Sequence, residues 1–327
     1  MDLSASYVLS RYPVSLRGRL ESLGNHGGFS GARLWRVDAP AGVYCLKAWP
    51  ADGRSAADLT WIHHLVAKAS VLPFVPRVLA ASDGATVVAH ADRLWELASW
   101  LPGRAGFATA PSPRRLESAC TALARLHQVW ASTDVQIAVC PAVLRRADSW
   151  RNWRQLVQSG WRPSWAPLGP YAQSCQELWQ LIEQRGDDLP GLLAPWLARA
   201  VALQPCVCDP WHDHVLYSGD DVTGLIDFGS VKIDHVAVDV ARLLGSLIGN
   251  DAVLWDVGVH AYARIRPLSV EERALARDLD RTGTIIAAAH WLRWLGHDRR
   301  AFERPADVLA RLTHLIHRLR ESGCPGS

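Results

Sequence analysis

The sequence predicts an α+β fold in which a strand-rich stretch to about residue 100 precedes a mainly helical remainder. Three patterns carry that expectation. Arg33 to Val37 and Val43 to Lys47 alternate apolar and polar residues on either side of a Pro40-Ala41-Gly42 turn, as a half-buried antiparallel hairpin does. After Pro111 the period lengthens, and Leu116, Ala119, Cys120, Leu123 and Leu126 mark one face of a helix with proline in its first turn. Late in the chain the period shortens again: Val215 to Tyr217, a tight Ser218-Gly219-Asp220-Asp221 turn, and Val222 to Ile226 read as strand, turn, strand.

Taken in order, the first element is a glycine-rich turn, Gly24-Asn25-His26-Gly27-Gly28-Phe29-Ser30-Gly31, which leads into the first hairpin. The second hairpin strand ends on Lys47, one of only three lysines among 35 basic residues. A compact ammonium suits contact with phosphates where a planar guanidinium suits a fork, so a lysine here fits either a phosphate-bearing ligand or an edge strand kept soluble by its charge. A helix is predicted from Arg54 to Ala69, with Asp58 its one acidic residue past the first turn, where it can face solvent or offset the helix dipole. Leu94 to Gly103 reads as a strand that breaks into a Pro102-Gly103 turn. Beyond Trp130, tryptophans 150, 153, 161 and 165 sit among arginines 145, 146, 151, 154 and 162, as residues that either pack two helices or line a pocket for a sugar, an aromatic or an anionic group.

The segment from Cys206 to Gly229 carries the chemistry. Asp209 lies in a short turn before one strand, and Asp227 ends the next, directly before Phe228-Gly229. Phosphoryl transfer needs two such carboxylates: one orients an attacking hydroxyl and accepts its proton, and the other holds Mg²⁺ on the nucleotide phosphates. The same loop also spells Cys206, Cys208, His212 and His214, which is a possible zinc ligand set. Farther on, a helix is predicted from Asp234 to Gly249. Ser269 and Glu272 form a capping box, Trp291, Trp294 and Leu295 continue an apolar stripe, and the tail from Ser322 should be disordered.

These motifs resemble the aminoglycoside phosphotransferase and choline kinase-like small-molecule kinases, which share the protein-kinase fold. The resemblance rests on Asp209, on Ile226-Asp227-Phe228-Gly229 after two strands, on Leu123-Ala124-Arg125-Leu126-His127, and on Asp239-Val240-Ala241 after the metal motif. It implies two lobes, 1–100 binding nucleotide and 101–327 supplying catalysis and acceptor binding. It also implies ATP and Mg²⁺ as cofactors and a small-molecule hydroxyl as acceptor. Gly27, Gly28, Ser30 and Gly31 would cover the phosphates with backbone N–H groups, Lys47 would pair the α- and β-phosphates with Asp58 of the following helix as its acidic partner, and Ala98 to Trp100 would meet the adenine. Asp209 would be the catalytic carboxylate, Asp227 the metal ligand, and Asp239 a brace for the catalytic loop, with His127 a packed structural histidine. His214 occupies the family's asparagine position, catalytic and metal-facing, and Val207 stands where the family has histidine. Those two departures leave open a nucleotide-binding protein with impaired catalysis.

Composition fits a globular enzyme: 327 residues, 49% hydrophobic and 20% charged. A net charge of +3 without a basic, aromatic-interleaved run argues against nucleic acid. No apolar stretch reaches a membrane span and no basic leader precedes one, so a soluble cytoplasmic protein with no evident protein partner is expected. Seven cysteines, an odd number in helix- and strand-like contexts, read as reduced core thiols.

Overall fold

The structure is a computed structural model that describes residues 2–25, 31–131 and 135–321. Its elements, in chain order, are α1 (Leu3–Ser10), β1 (Arg19–Gly24), β2 (Arg33–Ala39), β3 (Gly42–Ala48), α2 (Ala56–Lys68), β4 (Val78–Leu79), β5 (Val88–His90), β6 (Arg93–Ser99), β7 (Arg104–Ala105) and α3 (Pro113–Trp130). They continue with β8 (Gln136–Val139), α4 (Pro141–Gln158), α5 (Ala172–Arg185), α6 (Asp188–Leu193), β9 (Ala200–Cys206), β10 (Val215–Ser218), β11 (Asp221–Leu225), β12 (Lys232–Asp234), α7 (Ala237–Ile248), α8 (Ala252–Ala263), α9 (Val270–Leu292) and α10 (Pro305–Glu321). The chain forms two compact units: Met1–Trp130 with His212–Val231, and Ala131–Trp211 with Lys232–Ser327. The lobe boundary read from the sequence at residue 100 differs from this division. The first unit also takes α3 and the β10–β11 hairpin, because Val222 N–H donates to Ser118 Oγ on α3 and β7 pairs with β10.

The first unit is built on an antiparallel sheet in the order β1-β2-β3-β6-β4, with β5 on β6. Alternation in β2 and β3 turns Trp35, Val37, Tyr44, Leu46 and Ala48 into the core, where Trp35 stacks on Trp95 of β6 with centroids 5.1 Å apart. β5 and β6 are joined by Ala91-Asp92, both at positive φ (48° and 56°), as a two-residue primed turn requires. The Pro102-Gly103 turn behaves as its residues predict. Gly103 has φ 94°, and a Cβ there would lie 2.3 Å from Thr223 Oγ1. It leads to the second sheet, β11-β10-β7.

The second unit has a small sheet, β12-β9-β8, and the helices α4 to α10. Among these, α7 packs on α9 and α5 on both α9 and α10. The helix expected from Asp234 begins only at Ala237. Asp234 is instead a fully buried strand residue whose Oδ1 accepts from Ala142 N (3.2 Å) and His235 N (2.9 Å) and whose Oδ2 faces Arg145. A carboxylate buried this deeply needs that full set of donors, and the strand end, not a helix start, provides it. The capping box at Ser269 and Glu272 is present as expected. Trp153, Trp161 and Trp179 pack on one another with centroids 5.8–6.0 Å apart, with Trp165 against Trp179, while Arg151 and Arg154 pair with Asp148 and Asp187. That is the packing role of the two the sequence allowed for these tryptophans.

Six cysteines among the described residues are free thiols. Burial pushes Cys120 and Cys175 up to about 12 and Cys45 and Cys140 up to about 11, so they remain protonated. No described helix is long and apolar enough to cross a membrane. The tail from Ser322 lies outside the described residues.

Candidate active site

In the first unit, β3 carries Lys47 and the residue after β11 and Ile226 is Asp227. The ladder continues one step past β11, where Ile226 N–H donates to His214 O at 2.9 Å, and then the backbone turns sharply. Asp227 adopts the left-handed conformation (φ 63°, ψ 65°), uncommon for a residue with a side chain and concentrated where function over-determines the backbone. The turn lifts its carboxylate to the surface of the sheet end, where Lys47 Nζ donates to Oδ1 at 2.9 Å and His214 Nε2 lies 3.6 Å from Oδ2. The Lys47 ammonium, aided by His214, holds the Asp227 carboxyl well below the usual carboxylate range against the opposing effect of burial.

The neighbouring residues fix this pair. Phe228 is buried edge-on against Trp130, 5.8 Å between centroids. At Gly229 a Cβ would fall 2.5 Å from the Trp49 ring, so only glycine fits. Arg54, just ahead of α2, donates to the carbonyls of Gly229 (2.9 Å) and Val231 (3.2 Å). The Lys47 ammonium sits 3.7 Å from the centroid of the Trp49 ring.

The expected partnership of Lys47 with Asp58 is corrected. Asp58 is the third residue of α2, where its carboxylate accepts from Ser55 N–H and Ser55 Oγ accepts from Asp58 N–H, a reciprocal capping box. The acidic residues that act on Lys47 are Asp227 and Glu96, its cross-strand neighbour on β6; together they raise the ammonium's pKa although burial alone lowers it.

Of the expected phosphate-covering residues, Gly27, Gly28 and Ser30 lie outside the described residues. Gly31 has φ 75°, and its carbonyl accepts from Arg93 at 3.4 Å. At the expected adenine strand, Ala98 pairs with Cys45 on one side and Val78 on the other. The N–H groups of Ser99 and Trp100 donate to Arg77 O (2.8 Å) and Val43 O (3.0 Å), and the Trp100 ring, 38% exposed, lies under the Arg36 guanidinium.

In the second unit, Asp209 follows β9 in a loop braced by Asp239 of α7. One Asp239 oxygen accepts from Val207 N–H (2.6 Å) and the other from Cys208 N–H (2.7 Å), while Cys208 takes a positive φ of 64°. Because this brace acts on the backbone, a buried valine at position 207 leaves it intact. Arg242 Nε donates to Asp209 Oδ1 at 2.6 Å, and its guanidinium lies 4.2 Å from the Trp211 ring centroid, with Arg311 3.7 Å from the same ring. The sequence reading missed Arg242. Its spacing of three from Asp239 puts both on one face of α7, a signal that was legible.

The residues of the zinc alternative have other partners. Burial raises the Cys206 and Cys208 thiol pKa values above their ordinary range. His212 pairs with Asp213 and His214 with Asp227, and Cys206 Sγ donates to Asp234 O.

A model of a known family, the phosphotransferase enzyme family, matches residues 23–274. The chain belongs to this family. The match spans β1 to the first turn of α9 and includes every candidate residue above. Homoserine kinase from Beijerinckia indica subsp. indica is 27% identical over 202 residues, 60% of this chain and 57% of that kinase, so the chain spans little more than half the length of this relative. Homoserine kinase from Rhodopseudomonas palustris is 26% identical over 252 residues, covering 72% of this chain and 68% of its own. The solved structure of amicoumacin kinase hAmiN in complex with AMP-PNP, Ca²⁺ and Ami superposes with a TM-score of 0.65 at 15% identity, covering 99% of this chain and 94% of that one. At that identity the likeness shows the fold, a two-part α+β kinase-like architecture.

Proposed function

We propose that the chain is an ATP-dependent kinase that phosphorylates a hydroxyl group of a small molecule, with homoserine and related hydroxylated amino acids as the first acceptors to test. The observation that carries this reading is the Lys47–Asp227 pair, an ammonium at a strand end bonded to a left-handed aspartate before Phe228-Gly229. Family membership, the homoserine kinase relatives and the nucleotide held by the amicoumacin kinase support it.

Lys47 binds the α- and β-phosphates as a point charge, and the turn ending at Gly31 covers them with backbone N–H groups, with Gly27, Gly28 and Ser30 in that role. Ala98 and Trp100 border the adenine. Since the Ser99 and Trp100 N–H groups already donate within the sheet, the base is met by the Trp100 ring and backbone carbonyls. Asp227, a hard oxygen donor, suits Mg²⁺; His214 does not, because that ion prefers oxygen in octahedral geometry. His214 therefore acts beside Asp227, with its Nε2 3.6 Å from Oδ2. When bound, Mg²⁺ neutralises charge on the β- and γ-phosphates. Asp209, oriented by Arg242, accepts the proton of the acceptor hydroxyl as its oxygen bonds the γ-phosphorus and the bond to the departing ADP breaks. A loose transition state leaves most of the rate to positioning and charge neutralisation.

The test is ADP release by purified protein with Mg·ATP against L-homoserine, other amino alcohols, sugars and aminocyclitol antibiotics, with calorimetric binding of Mg·AMP-PNP measured in parallel. Acceptor-dependent turnover that Asp227→Asn abolishes is the expected result. Nucleotide binding without turnover on any acceptor would instead favour the impaired-catalysis reading motivated by Val207 and His214, and absence of nucleotide binding would refute both.

A further inference from the structure

A lysine that must place its ammonium on phosphates needs a fixed acidic neighbour, and α2 supplies none. Its one acidic residue, Asp58, lies in the first turn and is committed to the helix cap. The β3–β6 register sets Glu96 directly opposite Lys47, so the two side chains leave the same face of the sheet. Glu96 is itself tied down. Its Oε2 accepts from Trp49 Nε1 at 3.0 Å and lies 2.8 Å from His63 Nε2, while His63 Nδ1 lies 2.9 Å from Thr86 Oγ1. The ionised carboxylate only accepts, which assigns the proton to His63 Nε2. The side chains of His63 and Glu96 are 4% and 16% exposed, so this is an interior polar network with its donors and acceptors matched. Burial pushes the Glu96 carboxyl up, but the hydrogen bond from His63 and the Lys47 charge outweigh it and keep the group ionised. Trp49, which donates to Glu96, also offers its ring to the Lys47 ammonium.

We propose that Glu96, anchored by His63 and Trp49, is the positioning residue for Lys47, and that α2 takes part in nucleotide binding through His63 rather than through a carboxylate of its own. The inference deepens the proposed function and rests on Lys47 being the phosphate-binding lysine. Of the two acidic neighbours of Lys47, Asp227 is the one assigned to a divalent cation. Glu96, buried and already holding two donors, has no other task and keeps the ammonium in place when Asp227 turns to its own. Because His63 sits in the middle of α2, displacement of that helix breaks the His63–Glu96 bond and loosens Lys47.

The test compares Glu96→Gln, His63→Leu and His63→Gln with the wild type by calorimetric titration with Mg·AMP-PNP, by separate KM values for nucleotide and acceptor, and by thermal unfolding without nucleotide. Loss of one negative charge beside the Lys47 ammonium predicts a nucleotide affinity about tenfold weaker for Glu96→Gln, with the acceptor KM unchanged. His63→Leu should shift affinity in the same direction, and the double variant should be no weaker than Glu96→Gln alone, because the two residues act as one unit. His63→Gln, whose amide N–H still reaches Glu96, should restore most of the affinity. A merely structural pair would lower the unfolding temperature and leave the nucleotide-against-acceptor split unmoved, and that result overturns the proposal. If Glu96→Gln does not fold, equal nucleotide affinity in the two His63 variants and the wild type overturns it as well. A wild type that binds no nucleotide refutes the proposed function itself, which is a separate outcome.

Discussion

Asp209 shows how much one side chain depends on its immediate partner. In the proposed role, a carboxylate that receives a proton from a bound hydroxyl works only if it is oriented toward the acceptor, and the 2.6 Å bond from Arg242 to Oδ1 restricts that orientation. Arg242 is held in turn by the Trp211 ring, so its guanidinium is placed before substrate arrives. Arg242→Leu is therefore expected to lower kcat by about one to two orders of magnitude while leaving the nucleotide KM near the wild-type value, the pattern of an interaction that serves the chemical step. Steady-state kinetics with each substrate varied in turn checks this; an equal loss in nucleotide affinity would show that Arg242 shapes the whole loop instead.

Among the elements, the turn after β11 depends most on a single small residue. Gly229 lies so close to Trp49 that an added methyl group would meet the ring at 2.5 and 2.7 Å and Asp227 Oδ1 at 3.3 Å. The ring cannot yield freely, because its Nε1 donates to Glu96 and its face carries Lys47. Gly229→Ala is expected to destabilise the protein by about 1–3 kcal/mol, the usual cost of overpacking, and to weaken nucleotide binding together with it. Urea denaturation and calorimetry on the same preparation measure both, and a variant as stable as the wild type would mean that the tryptophan relaxes. The β5–β6 hairpin shows the opposite relation between sequence and element. Ala91-Asp92 forms a primed turn without glycine or asparagine, so the usual signal is missing and the pairing of Val88 with Trp95 sets the turn.

At the scale of the molecule, stability in the second unit rests partly on polar groups that bind the start of α9 to the segment before α7. Burial pushes the Glu272 carboxyl up, but the hydrogen bond from His235, the Ser269 N–H and the nearby Arg266 outweigh it and bring it down to about 2. His235 Nδ1 accepts from Ala237 N–H, so Nε2 carries the proton that Glu272 receives. The folded pKa lies below the unfolded one, so the contribution is complete above about pH 4.5 and is lost as the pH falls toward 2. Its size is on the order of 3 kcal/mol before solvent screening, which reduces it. Glu272→Gln should be less stable than the wild type at pH 7 by up to that amount, and the gap should close between pH 4.5 and pH 2, as read from denaturant midpoints. A gap independent of pH would assign the effect to the capping geometry alone.

The strands near Arg33, Val43, Leu94, Val215 and Val222, the capping box at Ser269 and the helix that follows Pro111 were legible in the sequence, because each is a local pattern: a period, a cap or a turn residue. The partners of the charged groups were not. Helical position suggested Asp58 for Lys47, and a cap claimed Asp58. Asp234 read as a helix start, and a buried strand end claimed it. Glu96, His63 and Arg242 entered only when strand register and helix packing set residues 33 to 49 positions apart in the sequence beside Lys47, Glu96 and Asp209. The sequence by itself determined the class of fold and the two carboxylates that make phosphoryl transfer the chemistry to test. Only the tertiary structure decided which counter-charge each of them meets, since a charge in a partly buried site is set by whatever lies within a few ångströms, and that distance belongs to the fold.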